Sequence, residues 1–426
     1  MSDPAIELNE DCKSMLAGGK GPATRFAMQL VLRAAQVTGA ARLVPVTFAH
    51  IDACFYAGQA HVDFARFMLD GGATFAVPAW TNNGLVSLVN TEARDPETEM
   101  ARGARELMQL YAALGCKTVW TCAPYQLPGR PKAGDHIVVG ESNAVSFYNA
   151  VVGARTNKYG DYLDVACAVT GYAPFYGLHT DEGRKATILF DTSAIPEDLK
   201  RQDIYFHLLG TVIGQRAGHA VPAIDQLGPG TGEDALKAIS AAAAAAGGVE
   251  HWHGIGRTPE APDLQTAFGG HSPQRVETIT LNDLAGARRQ LTSSSDGPVT
   301  MVALGTPHFS FTEFAALTPM IAGRKVKSGV KLSISTSRHV RDLAIEKGWI
   351  PQLEAAGAEI MVDTCSYFSP AIRGCKGRVM TNAAKWAWYA PGQLSVEVCF
   401  GSLLECAETA VRGEVWRDPQ LWQGLD

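Results

Sequence analysis

Two cysteines, Cys122 and Cys365, each close a short apolar run rich in β-branched residues: KTVWTCAPY (117–125) and EIMVDTCSYFSP (359–370). Each run predicts a buried strand of a parallel sheet, with the cysteine where strand gives way to loop. Ligands of open α/β sheets collect at the carboxyl ends of the strands. Two thiolates brought there from distant parts of the chain can hold a metal ion or an iron–sulfur cluster, and iron with an open position is a Lewis acid. Two ligands do not complete such a site. Cys375, in the loop PAIRGCKGR, is a candidate third thiolate, and Glu141, at the head of ESNAVSFYNAVVGART (141–156), is a candidate oxygen ligand. A different chemistry from the same residues is nucleophilic catalysis, with Cys122 or Cys365 activated by a histidine such as His179.

Further polar groups cluster in motifs. The 141–156 segment reads as a small-residue helix carrying Ser142, Asn143, Asn149, Arg155 and Thr156. Ser142 and Asn143 suit a helix start, whereas Arg155 offers a guanidinium fork that grips a carboxylate bidentately. YGLHTDEGRKAT (176–187) adds His179 and Arg184 in a glycine-bounded loop, and GTPHFS (305–310) and EHWHGIGRTPEAP (250–262) add His308 and His253. Lys385, in MTNAAKWAWYAPG, stands just past a strand end, where it can bind an anion or act as a base if burial lowers its pKa. The GxG-like stretches near 228–232 lack the strand–turn–helix setting of a phosphate loop.

The elements that would position these groups alternate. RLVPVTFAHI (42–51) and ATFAVPAW (73–80) predict strands, VDFARFMLDGG (62–72) a helix stopped by glycine, and 97–114 a helix leading to the Cys122 strand. ATILFDTS (186–193) predicts a strand, and the Ala-rich 235–248 a glycine-capped helix. From 299 the rhythm is clear: strands at 299–304 and 331–337, the Cys365 strand, and strand–helix pairs at 377–392 and 396–413. Polar residues sit at the strand ends there: Thr306 and His308, Thr336 to Arg338, Asp363 to Cys365, Thr381 and Asn382. The alternation predicts an α/β fold of several subdomains on mainly parallel sheets, with N-terminal and middle subdomains in 1–298 and a C-terminal subdomain in 299–426.

The 426 residues are 46% hydrophobic and 19% charged, the profile of a globular enzyme. A net charge of −6 without a basic block argues against a nucleic-acid partner, and no apolar segment reaches membrane-spanning length. The polar, acidic amino terminus lacks the pattern of a signal peptide, and nine scattered cysteines without a CxxC pair fit reduced thiols. A cytoplasmic location is the expectation, with Cys54, Cys116, Cys167, Cys399 and Cys406 as core residues.

Together, ELNEDCKSMLAG, FAHIDACFYAG, CAPY, ESNAVSFYNAVVGART, YGLHTDEGR, GIGRTPEAP, GTPHFS, VDTC, MTNAAKWAWYAPG and FGSLLEC, in this order along nearly the whole chain, resemble the aconitase X family. The resemblance implies an aconitase-like large part and a hydro-lyase with an iron or iron–sulfur centre, [2Fe–2S] or mononuclear iron. It also implies a small swivelling domain, which some members fuse and others keep as a separate subunit. A small subunit is therefore an expected partner, with a serine of that domain as the base. Cys122 and Cys365 would be iron ligands, with Glu141, His179, Arg155, His308 and Lys385 around metal and substrate. Some relatives have cysteine where this chain has Thr306, which leaves the third ligand open among Cys375, Glu141 and a group elsewhere. The implied substrates are small hydroxy acids: cis-3-hydroxy-L-proline is favoured, mevalonate 5-phosphate the alternative.

Overall fold

The computed structural model describes residues 6–90, 98–367 and 375–421. Three parallel sheets follow one another along the chain. The first joins Ala79–Thr81, Ala49–Ile51 and Val138–Val139. The second has the order His253–Gly254, Pro222–Asp225, Ile188–Asp191, Arg275–Thr278. The third has the order Ala358–Val362, Lys331–Thr336, Met301–Phe309, Arg378–Thr381, Glu397–Phe400. A small antiparallel pair, Leu43–Pro45 with Tyr172–Pro174, flanks the first sheet.

The helices follow their sequence signals. Gln59–Asp70 buries His61, Val62, Ala65 and Met68 on one face and stops at Gly71. Glu99–Ala113 starts on Thr98, whose hydroxyl accepts the Ala101 N–H, and buries Ala101, Ala104, Leu107, Met108 and Tyr111. The Ala-rich helix is Glu233–Gly247, ended by Gly248 in the left-handed region. It packs on Asp203–Ala217 so closely that a Cβ on Gly210 would stand 2.8 Å from Ala242 Cβ. Small residues on both helices permit that approach.

The first third departs from the expected strands. The run 42–51 divides between two sheets, and of 73–80 only Ala79 and Trp80 enter a strand. KTVWTCAPY forms no regular strand. Lys117 makes a single bridge to Trp80, Trp120 turns back with φ 45°, and Pro124–Gln126 is a 3-10 turn. An apolar run marks burial, and here the burial comes from packing on neighbouring elements rather than from ladder pairing. The strand expected before Cys365 is present as Ala358–Val362.

One contact joins the carboxyl edges of the first and third sheets. Asp363, fully buried at φ 71°, takes a two-bond grip from Arg338 (2.7 and 2.8 Å) and accepts the Leu88 N–H at 2.9 Å. Its carbonyl accepts the Gly84 N–H at 2.7 Å. The loop after Ala79–Thr81 is thereby pinned to the loop that carries Cys365.

Candidate metal centre

Cys122 and Cys365 meet with their Sγ atoms 3.5 Å apart, each 1% exposed. His308 completes a buried group whose ligand atoms all lie within 4.8 Å of one another. His308 reaches it because the pairing of Met301–Phe309 with Lys331–Thr336 breaks between Leu304 and Phe309. There Gly305 has φ 87°, and any Cβ would collide with the Ser335 carbonyl, so only glycine permits the excursion. The His308 N–H points at Cys122 Sγ at 3.4 Å.

The two thiols are within hydrogen-bonding distance, and each shifts the ionisation of the other. Burial pushes the Cys122 thiol up, but its hydrogen bond with Cys365 and the influence of His308 and Lys385 outweigh it and bring Cys122 down to about 6. The hydrogen bond to Cys122, with burial, pushes Cys365 well up. Within the pair one thiol is drawn down as the other is pushed up, so the first proton lost belongs to the pair.

Beside them lies a buried ion pair between Lys385 Nζ and Glu141 Oε1, with side chains 3% and 11% exposed. Burial alone would raise the Glu141 carboxyl; the ammonium and the Asn143 hydrogen bonds hold it down to about 2. Burial would lower Lys385, and Glu141 drives it well up. Glu141 caps the helix Ser142–Phe147 through the Asn143 N–H at 3.3 Å. Asn143 Nδ2 also donates to Glu141 Oε1 (2.7 Å) and to the Cys122 carbonyl (3.1 Å), while its Oδ1 accepts from Tyr125 OH at 2.8 Å. Lys385 opens the helix Ala384–Leu394, tied to the Cys365 loop by Trp386 Nε1 on Ser366 Oγ at 3.1 Å.

The donor set fits a soft-to-borderline metal or a cluster: two buried sulfurs at ligand spacing with an imidazole alongside. Buried hydroxyls of Thr306 and Thr364, chain neighbours of His308 and Cys365, have no hydrogen-bond partner, as is found where an ion or water completes a site. Glu141 stands next to the group but is engaged by Lys385. Cys375 is elsewhere. It packs against the core near Lys331, at the amino end of the third sheet, whereas Cys365 follows the carboxyl end. The length of the strands separates them, so the fold does not bring Cys375 to the pair.

The other motif residues form a second polar assembly between the first two sheets. His179 bonds to His136 Nδ1 (2.9 Å) and Tyr159 OH (2.6 Å), and its carbonyl accepts from Arg155 at 3.2 Å. Arg155 pairs with Asp181, and Thr156 is bonded to Asn149 and Asn157. Arg184 binds Glu260 through Nε, Asn149 through two nitrogens, and the Leu178 carbonyl. Ser142 remains beside Glu141, 3.5 Å from Oε1.

Sequence reasoning missed Asp52 and Asn82. Each directly follows a strand of the first sheet, Ala49–Ile51 and Ala79–Thr81. Asn82 Nδ2 bonds Asp52 Oδ1 and reaches Glu141 Oε2 at 3.3 Å. Burial, then Glu141, Asp161 and Asp164, push the Asp52 carboxyl well up. The polar strand-end signal used for the third sheet would have found both.

Comparison with known proteins places the chain in a family. The descriptions "Aconitase X first domain", "second domain" and "third domain" match residues 5–182, 186–289 and 299–412. The chain is 41% identical over 418 residues to a Pseudomonas aeruginosa cis-3-hydroxy-L-proline dehydratase, spanning 97% of this chain and 71% of that one. It is 35% identical to the enzyme of that name from Hypocrea jecorina (96% and 69%). It is 32% identical to the phosphomevalonate dehydratase large subunit of Thermococcus kodakarensis (90% and 94%). The crystal structure of Thermococcus kodakaraensis aconitase X in its holo-form superimposes with a TM-score of 0.85 at 30% identity, over 95% of this chain and all of that one. Three consecutive domain matches, with this identity and coverage, show that the chain belongs to the aconitase X family.

Proposed function

We propose that the protein is a hydro-lyase that dehydrates cis-3-hydroxy-L-proline to Δ1-pyrroline-2-carboxylate, using an iron or iron–sulfur centre held by Cys122 and Cys365. The observation that carries the proposal is the buried thiol pair beside the buried Lys385–Glu141 pair. The two relatives named as dehydratases of this substrate, at 41% and 35% identity, support the choice of substrate. Two thiolates make [2Fe–2S] our first choice of centre and mononuclear iron the second. When bound, the centre supplies a Lewis acid for the departing 3-hydroxyl.

The reaction removes the Cα proton and expels the 3-hydroxyl as water. It leaves a C2–C3 double bond conjugated to the ring nitrogen, and the enamine then tautomerises to the imine. Lys385 supplies the cation that orients the substrate carboxylate and stabilises the charge that builds at Cα. Glu141, itself oriented by the Asn143 amide, holds that ammonium beside the sulfurs. The base is assigned to a serine of a small swivelling domain on a partner subunit. The name "large subunit" carried by the Thermococcus relative supports such a partner.

Protein prepared without oxygen, with the partner added, tests the proposal through iron and sulfide counts, paramagnetic resonance and product analysis on cis-3-hydroxy-L-proline and mevalonate 5-phosphate. Iron-dependent turnover of the proline is expected. Turnover by iron-free protein would overturn the centre, and preference for the phosphate would overturn the substrate.

A further inference from the structure

Besides its carbonyl, which accepts from Gln126 Nε2 at 3.1 Å, His308 makes three directed contacts that converge on the two cysteines from both sides. Its Nε2 lies 3.0 Å from the Thr364 carbonyl, and Thr364 immediately precedes Cys365. Its Nδ1 lies 2.9 Å from Thr121 Oγ1, and Thr121 immediately precedes Cys122. Its own N–H faces Cys122 Sγ at 3.4 Å. The ring is fully buried.

A carbonyl only accepts, so Nε2 carries a proton and has no lone pair for a metal. Nδ1 is engaged by a hydroxyl that is itself held, because Thr121 Oγ1 accepts the Ala123 N–H at 3.1 Å. Serving as a ligand would require Nδ1 to abandon Thr121 or Nε2 to abandon a buried carbonyl, which would be left unpaired at a cost. Neither cysteine is on a regular strand: Cys122 follows the irregular 117–121 segment, and Cys365 follows Asp363 at φ 71°. Backbone ladders therefore do not set the sulfur–sulfur distance. The imidazole spans the two segments and does so directly.

We infer that His308 is a positioning residue, a cross-brace that sets the spacing of Cys122 and Cys365 and so preforms the metal site, rather than the third ligand of that site. The inference rests on the proposal that the two cysteines bind iron. It extends that proposal by assigning His308 a role in the layer behind the ligands, where lost partners cost about 10–100-fold in metal affinity.

Three variants test it, read by iron affinity in chelator competition and by alkylation of Cys122 and Cys365 in the metal-free protein. His308→Gln offers an amide that can donate to Thr364 and accept from Thr121, so it should stay within a few-fold of wild type in both readouts. His308→Ala should lose iron affinity by roughly 10–100-fold and expose the thiols to alkylation roughly tenfold faster, since local opening sets the reactivity of buried groups. Thr121→Val removes only the hydroxyl and decides the matter if His308→Ala fails to fold. A brace predicts weaker iron binding, whereas a ligand released from its hydroxyl predicts equal or tighter binding. In pulsed paramagnetic resonance of the wild type, strong coupling to an imidazole nitrogen would overturn the inference. Equal iron loss in His308→Gln and His308→Ala would overturn it too. If the wild type holds no iron, the metal proposal fails, and thiol protection then decides for or against the brace on its own.

Discussion

Breaking the Lys385–Glu141 pair one partner at a time is a direct test of how the site is held. Removing one member of a buried pair strands the other charge, at a cost of about 3–5 kcal/mol, whereas replacing both by neutral groups of similar volume is often close to neutral. The two single variants should differ. Lys385→Met leaves Glu141 with N–H donors from Asn143 at 2.7 and 3.3 Å and Asn82 at 3.3 Å. Its cost belongs at the lower end, about 3 kcal/mol. Glu141→Gln leaves a 3%-exposed ammonium facing an amide, so about 4–5 kcal/mol is expected. The double variant should return to within about 1–2 kcal/mol of wild type while remaining inactive. At roughly 2.1 cal/mol/K per residue, 426 residues give an unfolding entropy near 0.9 kcal/mol/K. The single variants should then melt about 3–5 °C lower in scanning calorimetry of the metal-free protein. Losses in the double variant equal to the sum of the singles would refute the reasoning, because independent sites add and a mutually compensating pair does not.

Cys122→Ser and Cys365→Ser should each abolish iron retention with little change in fold, read by metal analysis beside circular dichroism, because a hydroxyl is a poor substitute for thiolate. Gly305→Ala should destabilise by more than about 1–2 kcal/mol, since φ 87° is strained and its Cβ meets the Ser335 carbonyl; it should also lower iron occupancy by moving His308. Acid should destabilise the protein early. Burial lowers His50 to about 4 and His207 and His179 to about 3, so the folded state binds these protons later than the unfolded chain. That stability is complete above pH 6.5 and is lost as pH falls. At pH 5 each histidine has given up about 2 kcal/mol, and chemical denaturation at pH 7.5, 6 and 5 should show the midpoint falling steadily. A flat profile would contradict the buried, neutral imidazoles.

How far the sequence could be read depended on what each residue's position rests on. The third sheet was readable because its strands are four to nine residues long with polar residues at their ends, and all of them but Ala358–Val362 are followed, among the described residues, by a helix. The first sheet was not, because its strands are two or three residues long and the buried loops around them are equally apolar. Cys365, Glu141 and Lys385 were marked by residue type at element ends, whereas Cys122 was marked by a strand that the structure does not form. His308 was noticed, but its place between Thr121 and Thr364 depends on how two sheets dock through Asp363, which no local pattern encodes. Arg155, Arg184 and His179 show the opposite failure. Their motifs are dense in polar chemistry, yet Arg184 spends its nitrogens on Glu260, Asn149 and Leu178, as a buried guanidinium must. Polar density marked a joint between sheets.

The charges around the sulfurs argue for a cation there. The Cys122–Cys365 pair is poised to lose a proton and the Glu141 carboxyl is held well down by Lys385, which offsets one of these acidic groups. Asp52 adds no cation, and its crowding by Glu141, Asp161 and Asp164 keeps its carboxyl well up. The protein groups alone therefore present a net negative charge to a substrate that arrives with a carboxylate, and Lys385 is already committed to Glu141. Like charges at close range in a buried site cost several kcal/mol, far more than at a wetted surface. Metal-free protein should consequently bind cis-3-hydroxy-L-proline too weakly to measure at millimolar concentration in equilibrium dialysis. Metal-free Glu141→Gln, with its lysine released, should bind more tightly than metal-free wild type even though it cannot turn the substrate over. Equal affinity in the two would mean that the substrate carboxylate does not reach Lys385, and that some other group holds it.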